Sequence, residues 1–256
     1  MLPPLKWAGG KRWQEPYLRC YYANSTRRFV EPFAGGLGIA MRLEPRRVWA
    51  NDINSHLITF YRWLQQGFTI TLPMINDEAT YYAYRGHFNA LIDQGDDDTV
   101  EAASLFYYLN RTGFNGLCRF NKAGVFNVPF GSYANIPYER EFSAYRSTMA
   151  EWMFTAGSFE DMKLDDDDFV YADPPYDSSF TSYASQGFSW EQQVKVAAWL
   201  AQHPGPVILA NRATDRIVAL YEDLGYTLQF LEAPRRISCT GDRSPVREVL
   251  AMRNHE

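Results

Sequence analysis

Short apolar runs alternate with longer stretches of helical spacing at both ends of the 256-residue chain. Apolar runs bounded by turn residues are typical of buried strands, and the longer stretches are typical of amphipathic helices. Strands that alternate with helices favour an α/β fold with a doubly wound, largely parallel sheet. The predicted elements are strands at 29–33, 47–52, 169–172 and 207–210, helices from Ile39 and at 190–202 and 215–224, and a terminal hairpin of 226–231 with 246–252.

Residues 56–145 follow a different pattern. They are helical in spacing and rich in Tyr and Phe, and then rich in Gly and Asn from Gly113 to Tyr133. This change of pattern indicates a mostly helical subdomain, inserted into a catalytic domain formed by 1–55 and 146–256.

Composition narrows the class of protein. No apolar run is long enough to span a bilayer, and the N-terminal residues do not begin a signal peptide. The three cysteines are far apart and the four histidines are scattered, which argues against a disulfide framework or a metal site. We interpret the aspartate runs at 96–98 and 165–168 as solvated loops. The chain is therefore expected to be a cytoplasmic, monomeric protein without a metal.

Charge is unevenly distributed along the chain, although the net charge is −5. Three basic segments that converged in space would form a phosphate-binding face on an otherwise acidic body. Ordinary variation in surface charge would give the same counts. Lys plus Arg against Asp plus Glu number nine to three in 1–50, two to eight in 51–110, five to two in 111–150, four to fourteen in 151–234 and five to three in 235–256.

The four residues after the predicted strand at 169–172 carry the most specific chemistry. Asp173, Pro174, Pro175 and Tyr176 would form a rigid ledge, because the prolines fix φ and remove two N–H donors, which leaves local carbonyls unpaired. A carboxylate and a carbonyl that accept the two protons of an exocyclic amino group would localise its nitrogen lone pair for methylation. A strand that ends in a Pro-Pro turn with a core tyrosine explains the same four residues.

Two further segments are candidates for a cofactor site. Gly35 and its glycine neighbours would let the backbone approach a ligand closely, and Asp52 ends the next predicted strand, where an acid can bind both hydroxyls of a ribose. Asp52 would equally serve as a helix N-cap. Trp7, beside paired glycines, would place its indole against a sulfonium, and Lys11 would reach a carboxylate. A core tryptophan between solvated lysines is the alternative.

These segments together resemble the Dam-type DNA adenine methyltransferases. The resemblance depends on their order and covers nearly the whole chain. The motifs that carry it are Lys6–Lys11, Val30–Gly36, Asp52–Asn54, Tyr108–Asn121, Phe126–Gly131, Asp173–Tyr176, Arg235–Ser238 and Glu248–Leu250.

The resemblance implies an enzyme that methylates the amino nitrogen of adenine in double-stranded DNA with S-adenosylmethionine, typically at GATC. It implies catalytic roles for Asp173, Pro174, Pro175 and Tyr176. The residues matched to cofactor-binding positions are Trp7, Lys11, Phe33, Gly35, Asp52, Ser158, Phe159 and Asp173.

The resemblance also implies that the inserted subdomain, which carries a hairpin, reads the DNA site. Arg119 would bind a guanine, Leu117 and Pro129 would contact thymine methyl groups, and Phe114 stands where tyrosine is common in the family. The residues implied in DNA binding are Lys6, Phe114, Asn115, Leu117, Arg119, Pro129, Arg235 and Arg236.

A base inside the duplex cannot reach these groups, so the target adenine must rotate out of the stack and rest on Tyr176. Segment 177–187 is interpreted as a loop that closes over the base, and Arg243 is a further candidate for a phosphate contact. An RNA adenine methyltransferase and a DNA methyltransferase acting on the amino group of cytosine are the alternative enzymes. A catalytically silent DNA-binding module is the alternative outside enzymes.

Overall fold

Seven strands form one sheet in the part of the chain that the computed structural model describes, which is residues 1–22, 27–177, 188–233 and 246–255. The sheet order is β3-β2-β1-β4-β5-β7-β6. The strands are β1 (Phe29–Glu31), β2 (Val48–Asp52), β3 (Trp152–Ala156), β4 (Phe169–Ala172), β5 (Val207–Arg212), β6 (Thr227–Ala233) and β7 (Val246–Arg253).

Strands β1 to β5 run parallel, and β7 lies antiparallel between β5 and β6. The predicted α/β fold with a largely parallel sheet and the predicted terminal hairpin are both confirmed. The chain order reverses between β1 and β4, and ligands of open α/β sheets bind at the carboxyl ends of the strands beside such a reversal.

Helices cover both faces of the sheet. Successive side chains of a strand point to opposite faces, so they enter two separate hydrophobic cores, one under the helices of each face. Phe29 of β1 belongs to one core and Val30 to the other, and Tyr171 and Val170 of β4 divide in the same way. The described helices are α1 (Glu15–Tyr22), α2 (Ala40–Leu43), α3 (Ser55–Gln65), α4 (Glu78–Gln94), α5 (Val100–Thr112), α6 (Ser143–Thr148), α7 (Trp190–Ala201) and α8 (Asp215–Asp223).

The helix α1 was not predicted, and two further elements depart from the sequence prediction. The helix expected from Ile39 is the single turn α2, because Glu44 adopts a left-handed φ of 51° and a proline follows it. Strand β3 was not predicted; it is an edge strand in which Trp152 and Phe154 are buried while Met153 is exposed.

The segment between β2 and β3 packs as an aromatic core around α3. Phe60 contacts the rings of Phe106, Tyr107 and Phe142 at centroid distances of 6.0–6.2 Å. The same helix also bonds to the sheet, since the Arg62 guanidinium donates to the Phe154 carbonyl oxygen. The division of the chain at residue 56 stays a prediction, and it falls one residue inside α3.

The interpretation of 165–168 as a solvated loop is wrong for its last member. Asp168 is buried, and its carboxylate binds the guanidinium of Arg28 at 2.6 and 2.8 Å. Its carbonyl oxygen contacts Nε2 of His203 at 2.9 Å. A carboxylate that is paired with a cation can be buried where a free one cannot, so Asp168 can be buried just before β4.

Within the described ranges, no helix has the length and apolar character needed to cross a membrane.

Candidate active site

Four neighbouring parallel strands end at one edge of the sheet, and the candidate residues lie at those ends. Glu31 ends β1, Asp52 ends β2, Ser158 follows β3 and Asp173 follows β4. Sequence motifs separated by more than a hundred residues therefore meet at the reversal of strand order.

The turn after β1 packs directly against Trp7. Gly35 has a left-handed φ of +45°, and a Cβ atom there would lie 2.8 Å from the indole Nε1. A Cβ atom on Gly36 would lie 2.6 Å from Cβ of Trp7. Only glycine permits this contact, so the two predicted cofactor segments form one surface.

Asp52 binds the same turn. Its Oδ2 accepts from the backbone N–H of Gly35 at 2.9 Å, and its Oδ1 accepts from that of Asn54 at 3.0 Å. Burial raises the pKa of the Asp52 carboxyl, and these N–H donors oppose the rise. The alternative role of Asp52 as a helix cap is wrong: Asn54 caps α3 by accepting from the N–H of Leu57.

Apolar side chains flank these acids. Phe33 packs on Phe159 with ring centroids 5.4 Å apart, beside Ser158, whose hydroxyl accepts from the N–H of Glu160. Ile53 follows Asp52 and is 74% exposed, which is a large exposed fraction for an isoleucine beside a polar site. The sequence reasoning missed Ile53, and its place next to Asp52 was the available signal.

Lys11, Asp173 and Tyr176 form one cluster. The buried Lys11 Nζ lies 3.5 Å from Oδ1 of Asp173 and 4.2 Å from the centre of the Tyr176 ring, and it donates to the Gly9 carbonyl oxygen at 2.7 Å. The Asp173 side chain is 22% exposed, but its Oδ1 is buried and accepts no hydrogen bond from the part of the chain that the structure describes. Burial raises the pKa of Asp173 to about 6, against the attraction of Lys11.

Glu31 adds a second buried carboxyl that the sequence reasoning did not select. Its Oε1 accepts from the N–H of Ala40 at 3.2 Å, and its Oε2 has no partner in the described structure. Burial raises the pKa of Glu31 to about 8, and the nearby Asp173 adds to the rise.

A buried chain of hydrogen bonds supports Tyr176 from below. The Tyr176 hydroxyl and Nε2 of Gln14 both donate to Oε2 of Glu248 at 2.8 Å. Oε1 of Gln14 in turn accepts from the Tyr171 hydroxyl at 2.8 Å. Glu248 belongs to one of the motifs that carry the family resemblance, but the sequence assigned it no role. Nothing in the sequence places Gln14 beside it.

The expectation that the ledge leaves its carbonyls unpaired is wrong for one of the two prolines. The Pro175 carbonyl oxygen accepts from Nε2 of Gln193 at 2.7 Å, because α7 packs behind the ledge. The carbonyl oxygen of Pro174 has no hydrogen bond within the described residues.

The segment predicted to read DNA folds back on itself through isolated antiparallel bridges, at Gly113 with Phe130 and at Phe120 with Phe126. Phe114 is 46% exposed, and its N–H donates to the Pro129 carbonyl oxygen at 2.9 Å. Asn115, the next residue, has a left-handed φ of 54°.

Two of the cations predicted to bind DNA are Arg119, which lies in this segment, and Lys6, which packs against it. The exposed Arg119 donates through Nε to Oδ1 of Asn127 at 2.7 Å, two residues beyond the partly buried Leu117. Lys6 donates to the Arg111 carbonyl oxygen at 2.8 Å and lies 3.7 Å from the centre of the Tyr133 ring. Burial and the neighbouring Arg111 lower the pKa of Lys6 to about 8.

Some predicted residues lie outside the described part of the chain. They are Arg235, Arg236, Arg243 and the segment 178–187. Across the described ranges, no group of three or more His, Cys, Asp or Glu side chains is placed to hold a metal ion.

The sheet order and the strand-end site are consistent with the fold of S-adenosylmethionine-dependent methyltransferases. The family D12 class N6 adenine-specific DNA methyltransferase matches residues 7–236. The chain belongs to this family and is an adenine-specific DNA methyltransferase.

Relatives agree with this assignment. The chain is 34% identical to the Retron Ec67 DNA adenine methylase of Escherichia coli, over 97% of this chain and 90% of the relative. It is 34% identical to a DNA adenine methylase of Vibrio cholerae, over 97% and 94%. It is 32% identical to the type II methyltransferase M.CviBI of Paramecium bursaria Chlorella virus NC1A, over 89% of each. Among solved structures, wild-type Trm5b from Pyrococcus abyssi matches with 11% sequence identity and a TM-score of 0.40. The match covers 97% of this chain and 50% of Trm5b.

Proposed function

We propose that this enzyme transfers a methyl group from S-adenosylmethionine to the N6 amino group of an adenine that is flipped out of double-stranded DNA at GATC. The observation that carries the proposal is the Asp173 cluster: a partly exposed carboxylate with an unbonded buried oxygen, beside Lys11 and the ring of Tyr176.

The residues at the strand ends fit S-adenosylmethionine. The close contact of Gly35 with Trp7 brings backbone and indole to one surface, and the Asp173 oxygen that has no hydrogen bond within the described residues suits a cationic ligand. Lys11 supplies a positive charge for a carboxylate. The cofactor provides an electrophilic methyl group on a sulfonium. The residues proposed to hold it are Trp7, Lys11, Phe33, Gly35, Asp52, Ser158, Phe159 and Asp173, with Ile53 as an apolar surface for its adenine.

The ledge residues activate the amino group of the target base. The lone pair of this nitrogen is delocalised into the ring, so the nitrogen is a weak nucleophile until hydrogen-bond acceptors localise the pair. The Asp173 carboxylate and the Pro174 carbonyl oxygen, which has no partner among the described residues, would accept hydrogen bonds from its two N–H groups and stabilise the charge that develops on nitrogen. Pro175 fixes the backbone, and Tyr176 holds the base by stacking.

Base flipping costs a few kcal/mol, and a side chain that fills the vacated space offsets part of it. Phe114 is an exposed aromatic ring in the segment predicted to read DNA, and Asn115 follows it in a left-handed conformation that turns the chain sharply. We assign both residues to the gap that the adenine leaves.

Specificity for GATC would come from the same segment. Arg119 uses two of its five N–H donors on Asn127, which leaves the end of the guanidinium free for the O6 and N7 atoms of a guanine. Leu117 and Pro129 would lie against thymine methyl groups, and Lys6 would reach the other guanine. We propose that residues 56–145 form the target-recognition domain and that Arg235 and Arg236 contact DNA phosphates.

Methyl transfer from labelled S-adenosylmethionine to plasmid DNA tests the proposal. Digestion with nucleases that distinguish methylated from unmethylated GATC then reports the site. We expect label in adenine and protection at GATC. Label in adenine without that protection would overturn the roles of Phe114 to Arg119 and keep the chemistry. If no label enters the DNA, the assignment of S-adenosylmethionine as the methyl donor would be wrong.

Asp173→Ala tests the catalytic assignment, with the exposed Asp223→Ala as a matched control. We expect the first variant to bind DNA and transfer no methyl group, and the second to act like the wild type. Wild-type turnover by Asp173→Ala would remove Asp173 from the mechanism.

A further inference from the structure

The two backbone groups that flank Tyr176 are each bonded by a buried amide side chain. Nε2 of Gln193, on α7, donates to the Pro175 carbonyl oxygen at 2.7 Å. Oδ1 of Asn211, on β5, accepts from the N–H of Asp177 at 3.3 Å. Gln193 is 1% exposed and Asn211 is fully buried. The backbone on both sides of the Tyr176 ring is thus bound to the scaffold behind it.

The two amides also bind each other. Nδ2 of Asn211 donates to Oε1 of Gln193 at 2.9 Å and to the Tyr221 hydroxyl at 3.1 Å. Oδ1 of Asn211 accepts from the N–H of Arg212 at 2.8 Å. An amide has a donor end and an acceptor end, so these bonds fix which end of each side chain faces the ledge. Neither amide can rotate without leaving a buried polar group unpaired.

The other contacts of the segment leave Tyr176 little freedom. Its hydroxyl donates to Glu248 at 2.8 Å, so the ring is held at its tip as well as at its backbone. The carboxylate of the next residue, Asp177, is paired with the Arg216 guanidinium and accepts from the Thr214 hydroxyl.

From this geometry we infer that Gln193 and Asn211 are positioning residues, which hold the Tyr176 ring and the adjacent Pro174 carbonyl where the flipped adenine must react. The inference rests on the proposed function, because it takes Tyr176 and Pro174 as contacts of the base. Both amide side chains are buried behind the ledge, so we expect neither to touch the substrate. Their effect is expected on the rate of transfer and not on the initial binding of DNA, since a displacement of about 1 Å in such a site can cost about a hundredfold in rate.

Gln193→Met removes the bond to Pro175 with little change in volume. Gln65→Met is the matched control: Nε2 of Gln65 also donates to two backbone carbonyls, those of Met149 and Trp152, at 2.7 Å and away from the site. The measurements are the single-turnover rate of methyl transfer, the Kd for DNA and the thermal unfolding midpoint. We expect Gln193→Met to lose about 10- to 100-fold in rate with its Kd unchanged. Gln65→Met should lose stability alone.

Asn211→Leu should give a similar loss of rate. The Gln193→Met/Asn211→Leu double variant should lose no more than the larger single effect, because the two amides act as one unit. If Gln193→Met does not fold, Gln193→Glu is assayed at high pH, where this buried carboxyl is ionised: it then keeps an acceptor toward Asn211 and lacks the donor toward Pro175. It should show the same split between rate and Kd.

A wild-type rate in the Gln193 variants overturns the inference, and so does an equal loss of rate in Gln65→Met. Asp173→Ala in the same assay distinguishes failure of the positioning role from failure of the proposed function. Its inactivity beside a fully active Gln193→Met would refute the positioning role alone. Its full activity would refute the proposed function.

Discussion

Nζ of Lys11 lies 3.5 Å from Oδ1 of Asp173, and the two side chains share a site that is largely closed to solvent. The lysine stabilises the ionised carboxylate, while burial destabilises it more, so the pKa of Asp173 rises to about 6. Asp173, which is proposed to accept a hydrogen bond from the adenine amino group, therefore has a pKa only about one unit below neutral pH.

Methyl transfer should fall as the pH drops through about 6, because protonated Asp173 is a much weaker acceptor for the hydrogen bond from the amino group. In Lys11→Met the pKa of Asp173 should rise further, so the acid limb of the kcat/KM profile should move to higher pH. The profile of kcat/KM against pH, which reports ionisation of the free enzyme, measures the shift. A limb that stays in place would mean that Lys11 does not control Asp173.

Asp173→Asn should stabilise the fold at pH 8 while it abolishes methyl transfer. The folded carboxyl has the higher pKa, so it binds its proton more tightly than in the unfolded chain. Its contribution to the free energy of unfolding is lost as the pH rises from about 4 to about 6. An uncharged amide avoids this cost, and we expect a gain of about 1–3 kcal/mol at pH 8 and little change at pH 4. Urea unfolding at both pH values is the measurement; a gain of equal size at both would exclude ionisation as the cause.

Gly36→Ala should weaken cofactor binding. The added methyl group would lie 2.6 Å from Cβ of Trp7, so the indole must move away from the turn. Gly86→Ala is the control, because a Cβ there has no atom within 4 Å and lies in α4, where alanine should add about 1 kcal/mol of stability. Titration with S-adenosylmethionine by calorimetry should show an increase in Kd for the first variant alone. Equal affinities would show that the Trp7 contact is unrelated to the cofactor.

Arg119→Ala should reduce discrimination at one guanine of the site by about 1–3 kcal/mol. Asn127→Ala should cause a smaller loss at the same guanine, because Asn127 orients the guanidinium through bonds at 2.7 and 3.2 Å. The measurement is kcat/KM on duplexes that carry GATC or a single replacement of either guanine. Uniform loss on every duplex would indicate a phosphate contact for Arg119 instead.

The sequence by itself determined the alternation of strands and helices and three strand-end motifs, those at the ends of β1, β2 and β4. Both are local: apolar runs of a few residues specify strands, and Asp173 to Tyr176 are adjacent in the chain. Parallel strands align their carboxyl ends, so Gly35, Asp52 and Asp173 meet once these strands are neighbours in the sheet.

Only the tertiary structure decided the support behind these motifs. Gln14 and Glu248 are 234 residues apart in the chain and bonded in the fold, and Gln193 reaches Pro175 because α7 packs against β4 and β5. A buried glutamine or asparagine has no sequence signature that distinguishes it from a surface one. The partner that satisfies its amide is chosen by packing, so the residues that hold the site became visible only in three dimensions.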